Sequence, residues 1–86
     1  MSPVRKHSVS IRGHRTSYSL EQPFADDLAE IAAGRGLSLA ALIAEIDAAR
    51  PRDANLSSAI RIHVLAWAKT KAAGEALPSP PRDDGP

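Results

Sequence analysis

The sequence predicts a mainly helical domain with one β-strand, and that strand pairs with its counterpart in a second copy of the chain. Three observations predict it. Residues 1–20 carry Arg5, Lys6, Arg12 and Arg15 with no acid, and they end in the alternating segment Arg15-Thr16-Ser17-Tyr18-Ser19-Leu20, which has the period of a strand. Two helical stretches follow, joined by Gly36-Leu37-Ser38, with six carboxylates against Arg35 before Arg50 is reached. A third stretch is apolar on two sides. A lone strand leaves its N–H and C=O groups unpaired. The simplest partner is the same strand of a twin, which gives a two-stranded antiparallel ribbon between chains.

Length and composition bear this out as a need. Eighty-six residues with one Phe, one Trp, one Tyr and no Cys make one small domain with a thin aliphatic core. Such a domain is marginal unless disulfides, metal or oligomerisation help it, and without cysteine, oligomerisation is the expected remedy. No apolar run approaches the roughly 18 residues of a membrane span, and the N-terminus lacks a signal peptide's apolar segment. A cytoplasmic location is therefore expected. The net charge of +1 divides into +4 over residues 1–20, −5 over 21–49 and +2 over 50–86. An acidic body with a basic end suits a protein that meets a polyanion through one surface.

Residues 1–6 are expected to be a flexible basic arm, and residues 7–74 the folded domain. Between His7 and Leu20 the apolar positions change phase: Val9 and Ile11 are odd, while Thr16, Tyr18 and Leu20 are even. One uninterrupted strand would put the two sets on opposite faces. Gly13 lies between them, where a bulge could reset the phase. Gly13 could instead open a Gly-His two-residue turn and fold the segments into a hairpin within one chain. The intermolecular ribbon is preferred, because the second segment leads directly into a helix.

The first helix is expected from about Pro23 to Gly34 or Arg35. Proline suits its first turn, Asp26 and Asp27 complement the dipole there, and Phe24, Leu28 and Ile31 form one stripe. Gly36 is the expected left-handed stop. The second helix follows the N-cap Ser38, with Leu39, Leu42, Ile43 and Ile46 as its apolar face, and Pro51 ends it near Ala49 or Arg50. Asn55 caps a third helix over residues 56–73, with Gly74 beyond it. Leu56, Ile60, Val64 and Trp67 make one stripe, while Ile62 and Leu65 lie away from it. Such a helix packs on its own chain and on a partner, so it either thickens a dimer or builds a tetramer. Residues 75–86, rich in proline, are expected to be disordered.

The run Arg15-Thr16-Ser17-Tyr18-Ser19-Leu20-Glu21, with Phe24, Leu28, Ile31, Gly36-Leu37-Ser38, Leu42-Ile43 and Ile46, resembles the ribbon-helix-helix family of bacterial repressors. The longer stretches Ser8-Val9-Ser10-Ile11-Arg12-Gly13-His14 and Ala44-Glu45-Ile46-Asp47-Ala48-Ala49-Arg50, with Asn55-Leu56-Ser57-Ser58-Ala59, look like one bacterial subgroup carrying an extra C-terminal helix. The resemblance implies an intertwined homodimer whose ribbon enters the DNA major groove, with Thr16, Tyr18 and Leu20 inward and Arg15, Ser17 and Ser19 outward. It also places a phosphate clamp on Ser38 and Leu39, where the first N–H groups of a helix have no intrahelical partner.

A transcriptional regulator working without a cofactor is the expected function. Arg15 is the outward side chain able to make the bidentate contact to guanine, worth about 1–3 kcal/mol of discrimination, while Ser17 and Ser19 offer short, unselective hydrogen bonds. Arg5, Lys6 and Arg12 are expected on phosphates, where they supply salt-dependent affinity. The plain alternatives are a solvated strand charge for Arg15, ordinary exposed strand residues for the serines and a simple N-cap for Ser38. His7, His14 and His63 share no metal-ligand spacing. No nucleophile elbow, Gly-rich phosphate loop or paired carboxylates in a cleft emerge, so an enzyme is not expected. The rival function is a homodimeric protein-interaction module, antitoxin- or adaptor-like, that uses the third helix and the acidic surfaces, with DNA binding weak or lost.

Overall fold

Five elements follow one another along the chain: β1 (Val4–Ile11), β2 (His14–Glu21), α1 (Gln22–Arg35), α2 (Leu39–Ala49) and α3 (Leu56–Ala76). The computed structural model describes residues 3–76. The tail expected to be disordered lies, from residue 77 onward, outside the described residues, as do residues 1 and 2.

The expected lone strand is one of two. β1 and β2 form an antiparallel hairpin within one chain, in a register running from Val4 opposite Glu21 to Ile11 opposite His14. The loop is Arg12-Gly13, one residue earlier than the Gly-His alternative, with φ 52° at Arg12 and 81° at Gly13. Positive φ at both central residues is what a type I′ turn requires, and that turn's twist matches the strands on either side. The turn also answers the phase change. Ile11 faces His14, Val9 faces Thr16 and His7 faces Tyr18, so the odd positions of β1 and the even positions of β2 share one face. Residues 1–6 are accordingly not all arm, since Val4, Arg5 and Lys6 pair with Glu21, Leu20 and Ser19.

α1 begins at Gln22, so its first turn contains Pro23 but no acid. Asp26 falls beyond that turn and accepts from Gln22 Nε2 at 2.8 Å. The helix ends as expected. Gly36 sits at φ 68°, ψ 27°, with Gly36 N–H donating to Ala33 O at 3.2 Å and Leu37 N–H to Ala32 O at 2.9 Å, the paired bonds of a Schellman motif. Ser38 caps α2, its Oγ accepting from Ala41 N–H at 3.0 Å. Leu42, Ile43 and Ile46 of α2 are buried, whereas Leu39 is 41% exposed and does not belong to the core face. The Arg35 guanidinium grips the Glu45 carboxylate at 2.7 and 3.0 Å, fastening the end of α1 to α2. α3 starts at the cap Asn55, whose Oδ1 accepts from Ser58 N–H at 2.8 Å, and it runs through Gly74 to Ala76. One interior glycine costs a helix only about 1 kcal/mol, too little to stop it.

The inward face of the hairpin closes on the helices. Ile11, Tyr18 and Leu20 are buried with Leu28, Ile31 and Ala32 of α1, Leu42, Ile43 and Ile46 of α2, and Leu56, Ile60 and Val64 of α3. Among the described residues no polar side chain other than Tyr18's is buried. The His7 ring stacks on Tyr18 with centroids 5.1 Å apart, and burial pushes the Tyr18 phenol above its ordinary pKa. α3 therefore supplies apolar contacts that a thin two-helix core lacks. Its other side stays open, with Ile62 66% and Leu65 51% exposed.

Candidate nucleic-acid interface

Alternation along the two strands decides which side chains reach solvent. Residues flanking a two-residue turn are a hydrogen-bonded pair, and bonded and non-bonded pairs then alternate. On the outward face Ser10 stands opposite Arg15, Ser8 opposite Ser17 and Lys6 opposite Ser19. Lys6, Ser8, Ser10, Arg15 and Ser17 are exposed, and Ser19 is half-buried. The first acid reached on this face is Glu21 at the far end. Its own main-chain N–H and then the Arg61 guanidinium, 3.0 Å away, hold its carboxyl below the ordinary value. The face is thus a strip of hydroxyls with one cation toward each end.

Ser19 is half-buried because α3 lies along the outer edge of β2. Its N–H donates to Ser57 Oγ at 2.8 Å, and its C=O accepts from Arg61 Nη2 at 3.0 Å. Both groups point away from β1, since the Lys6–Ser19 pair is a non-bonded one. Arg61 Nε meanwhile holds Glu21, and its guanidinium lies 6.0 Å from the Phe24 ring centroid. Arg15 and Ser17 face the same edge with their main chains, further toward the turn.

The other expected contacts scatter around this strip. Arg5 pairs with Leu20, so it sits one position out of phase with Lys6, though it is exposed. Arg12 forms the tip of the hairpin. There Arg12, His14 and Arg15 share a cleft of about 320 Å³ with Asp47 and Arg50 of the α2 terminus. Ser38 and Leu39 are exposed at the opposite end of α2, which as an eleven-residue helix is about 16 Å long. One chain therefore gathers Lys6, Arg15, Ser17 and Ser19 on one face, and it does not bring Ser38 and Leu39 to the basic tip.

Sequence reasoning missed Ser8 and Ser10, the outward neighbours of Val9 and Ile11. The alternation of residues 8–11 carried the signal, once a two-residue turn was put at the right place. It also missed Arg50 at the cleft and the Ser57–Arg61 clasp, for which no local pattern exists.

Among the described residues no helix is long and apolar enough to cross a membrane, and no group of three or more His, Cys, Asp or Glu could hold a metal ion. Neither a curated protein nor a solved structure matches the chain. A ribbon-helix-helix domain model does match, over residues 4–68, which takes in both strands, α1, α2 and more than half of α3. That span is well over half of the 86 residues, and the chain belongs to the ribbon-helix-helix family.

Proposed function

We propose that this chain is a DNA-binding transcriptional regulator that lays the outward face of its hairpin in the DNA major groove. Ribbon-helix-helix proteins are commonly DNA-binding regulators and typically not enzymes, and a two-stranded ribbon has the width that the major groove accepts. The observation that carries the proposal is the exposed strip of Lys6, Ser8, Ser10, Arg15 and Ser17, free of acids as far as Glu21. Arg15 is the base reader, with its fork on guanine. The serines add contacts of low selectivity. Lys6, Arg5 and Arg12 meet phosphates, and the first N–H groups of α2 at Ser38 and Leu39 hold another.

Family members generally bind DNA as dimers, and a homodimer belongs to this proposal. Each chain carries a whole ribbon of its own, so two copies need not exchange halves to present two ribbons. Exposed Ile62 and Leu65 support a contact between chains along α3. The same two side chains favour the second reading, a protein-interaction module in which α3 receives a different protein.

A salt titration of binding to random duplex DNA separates the two. DNA binding predicts a steep fall of log affinity with log salt. Lys6→Ala should weaken all duplexes alike and reduce the slope by about 1, whereas Arg15→Ala should also erase preference among sequences. Absence of binding at low salt would overturn the DNA reading and leave the interaction module.

A further inference from the structure

The basic tip of the hairpin carries more than the groove-facing strip needs. Arg12 comes from the turn, Arg15 from the start of β2 and Arg50 from the residue that ends α2, and all three line one cleft of about 320 Å³ beside His14 and Asp47. Two guanidiniums elsewhere are matched, Arg35 by Glu45 and Arg61 by Glu21, while Arg5 and Arg52 stand apart from the cleft with exposed side chains. In the cleft the one carboxylate, Asp47, is taken by Arg50 Nε at 2.7 Å, while Arg12 and Arg15 have no acid partner among the described residues. Gathering like charges in one cleft is unfavourable unless an anion joins them.

Arg50 is positioned rather than loose. Its Nε is held by Asp47 and its Nη1 donates to the Ala54 carbonyl, fixing the plane of the guanidinium while its Nη2 has no partner among the described residues. A planar fork with a free edge is suited to phosphate oxygens. Asp47 opposes an incoming anion, but three guanidiniums outweigh a carboxylate already bound to one of them.

We infer that the cleft between the hairpin tip and the end of α2 is a phosphate-binding site, in which Arg50 acts with Arg12 on one backbone phosphate of duplex DNA, while Arg15 at its rim adds positive charge and keeps its fork for the base edge. The choice of DNA as the source rests on the proposed function. The phosphate chemistry does not, and a free phosphorylated small molecule offers the same group.

Two measurements test it. In the first, pyrophosphate is titrated into the whole protein while the Nε–H signals of the arginines are followed by NMR, against sodium chloride of equal ionic strength. Saturable shifts at Arg12 and Arg50 with pyrophosphate alone are expected. In the second, random duplex binding is compared for Arg50→Gln and Asp47→Asn, with thermal unfolding of each variant recorded. Both variants break the Arg50–Asp47 pair, but only Arg50→Gln removes a cation. The site predicts that Arg50→Gln weakens binding about tenfold and lowers the salt slope by about 1, while Asp47→Asn leaves binding unchanged or tighter.

Equal losses in both variants would make the pair merely structural and overturn the site. Intact DNA binding in Arg50→Gln would also overturn it, yet leave the DNA-binding function standing. Pyrophosphate shifts without any DNA binding would keep the site, assign it to a free phosphorylated ligand and remove the function. No response in either measurement removes both.

Discussion

The two edges of β2 are closed by different means. On one edge β1 supplies a main-chain ladder along the strand, from Val4–Glu21 to Ile11–His14. On the other, α3 reaches the main chain of a single residue, Ser19, through Ser57 Oγ and Arg61 Nη2. The first edge is set by sequence neighbours across a two-residue turn. The second joins residues 38 and 42 positions apart and depends on how α3 packs. The difference teaches where the chain is self-sufficient. An unpaired strand edge invites another strand, and here one edge is closed to a second copy along its length while the other is closed at one point and open at Arg15 and Ser17.

The largest expected effect comes from breaking what seats α3. Ile60 is fully buried in the shared core, one residue before Arg61. Ile60→Ala should cost about 2–5 kcal/mol, the range for large-to-small changes in well-packed cores, read as a drop in the denaturant midpoint with little change in slope. A loss below about 1 kcal/mol would mean that α3 does not complete the core and that its clasp on β2 is incidental.

A smaller effect isolates the clasp. Ser57→Ala removes the acceptor for Ser19 N–H and should lower stability by about 1 kcal/mol. The more telling readout is amide hydrogen exchange. Ser19 should lose protection while Tyr18 and Leu20, whose N–H groups turn toward β1 in the alternating ladder, keep theirs. Equal losses at all three would sink the idea of a separately closed edge. The clasp has an acid limb as well. The folded-state pKa of Glu21 is depressed by its own N–H and by Arg61. That contribution is therefore present above a carboxylate's ordinary value near pH 4.3 and fades as pH falls through the folded-state value.

These edges also explain what was legible in advance. Helix boundaries marked by local chemistry could be read directly: Gly36 as the stop of α1, Ser38 and Asn55 as caps, Pro51 as the barrier beyond α2. The alternation of residues 15–20 and the two-sided apolar character of α3 could be read as well. The hairpin was half legible. The phase conflict between Val9/Ile11 and Tyr18/Leu20 was visible, but its solution puts an arginine at φ 52°, a conformation uncommon outside Gly, Asn and Asp. The turn signal therefore pointed to Gly13 alone. Ser57, Arg61 and Arg50 were illegible for a different reason, because each acts on a partner that only the tertiary fold brings near. Of the candidate site, the outward set of β2 followed from alternation, while its extension to Ser8 and Ser10 waited on the correct turn.

The smallest expected effect concerns the ladder's own hinge. Arg12 occupies the first central position of the Arg12-Gly13 turn at positive φ, where Asn is favoured and a long side chain carries a steric penalty. Arg12→Asn should therefore raise stability by several tenths to about 1 kcal/mol, part of the roughly 1–2 kcal/mol that a left-handed backbone costs a residue other than Gly, Asn or Asp. The same change removes a tip cation, so duplex affinity should fall while the denaturant midpoint rises. A variant that gains stability and loses DNA together would show that an unfavourable turn residue is kept for its charge. If Arg12→Asn left affinity untouched, the tip would be only a turn, and the cation would have no function to set against its strain.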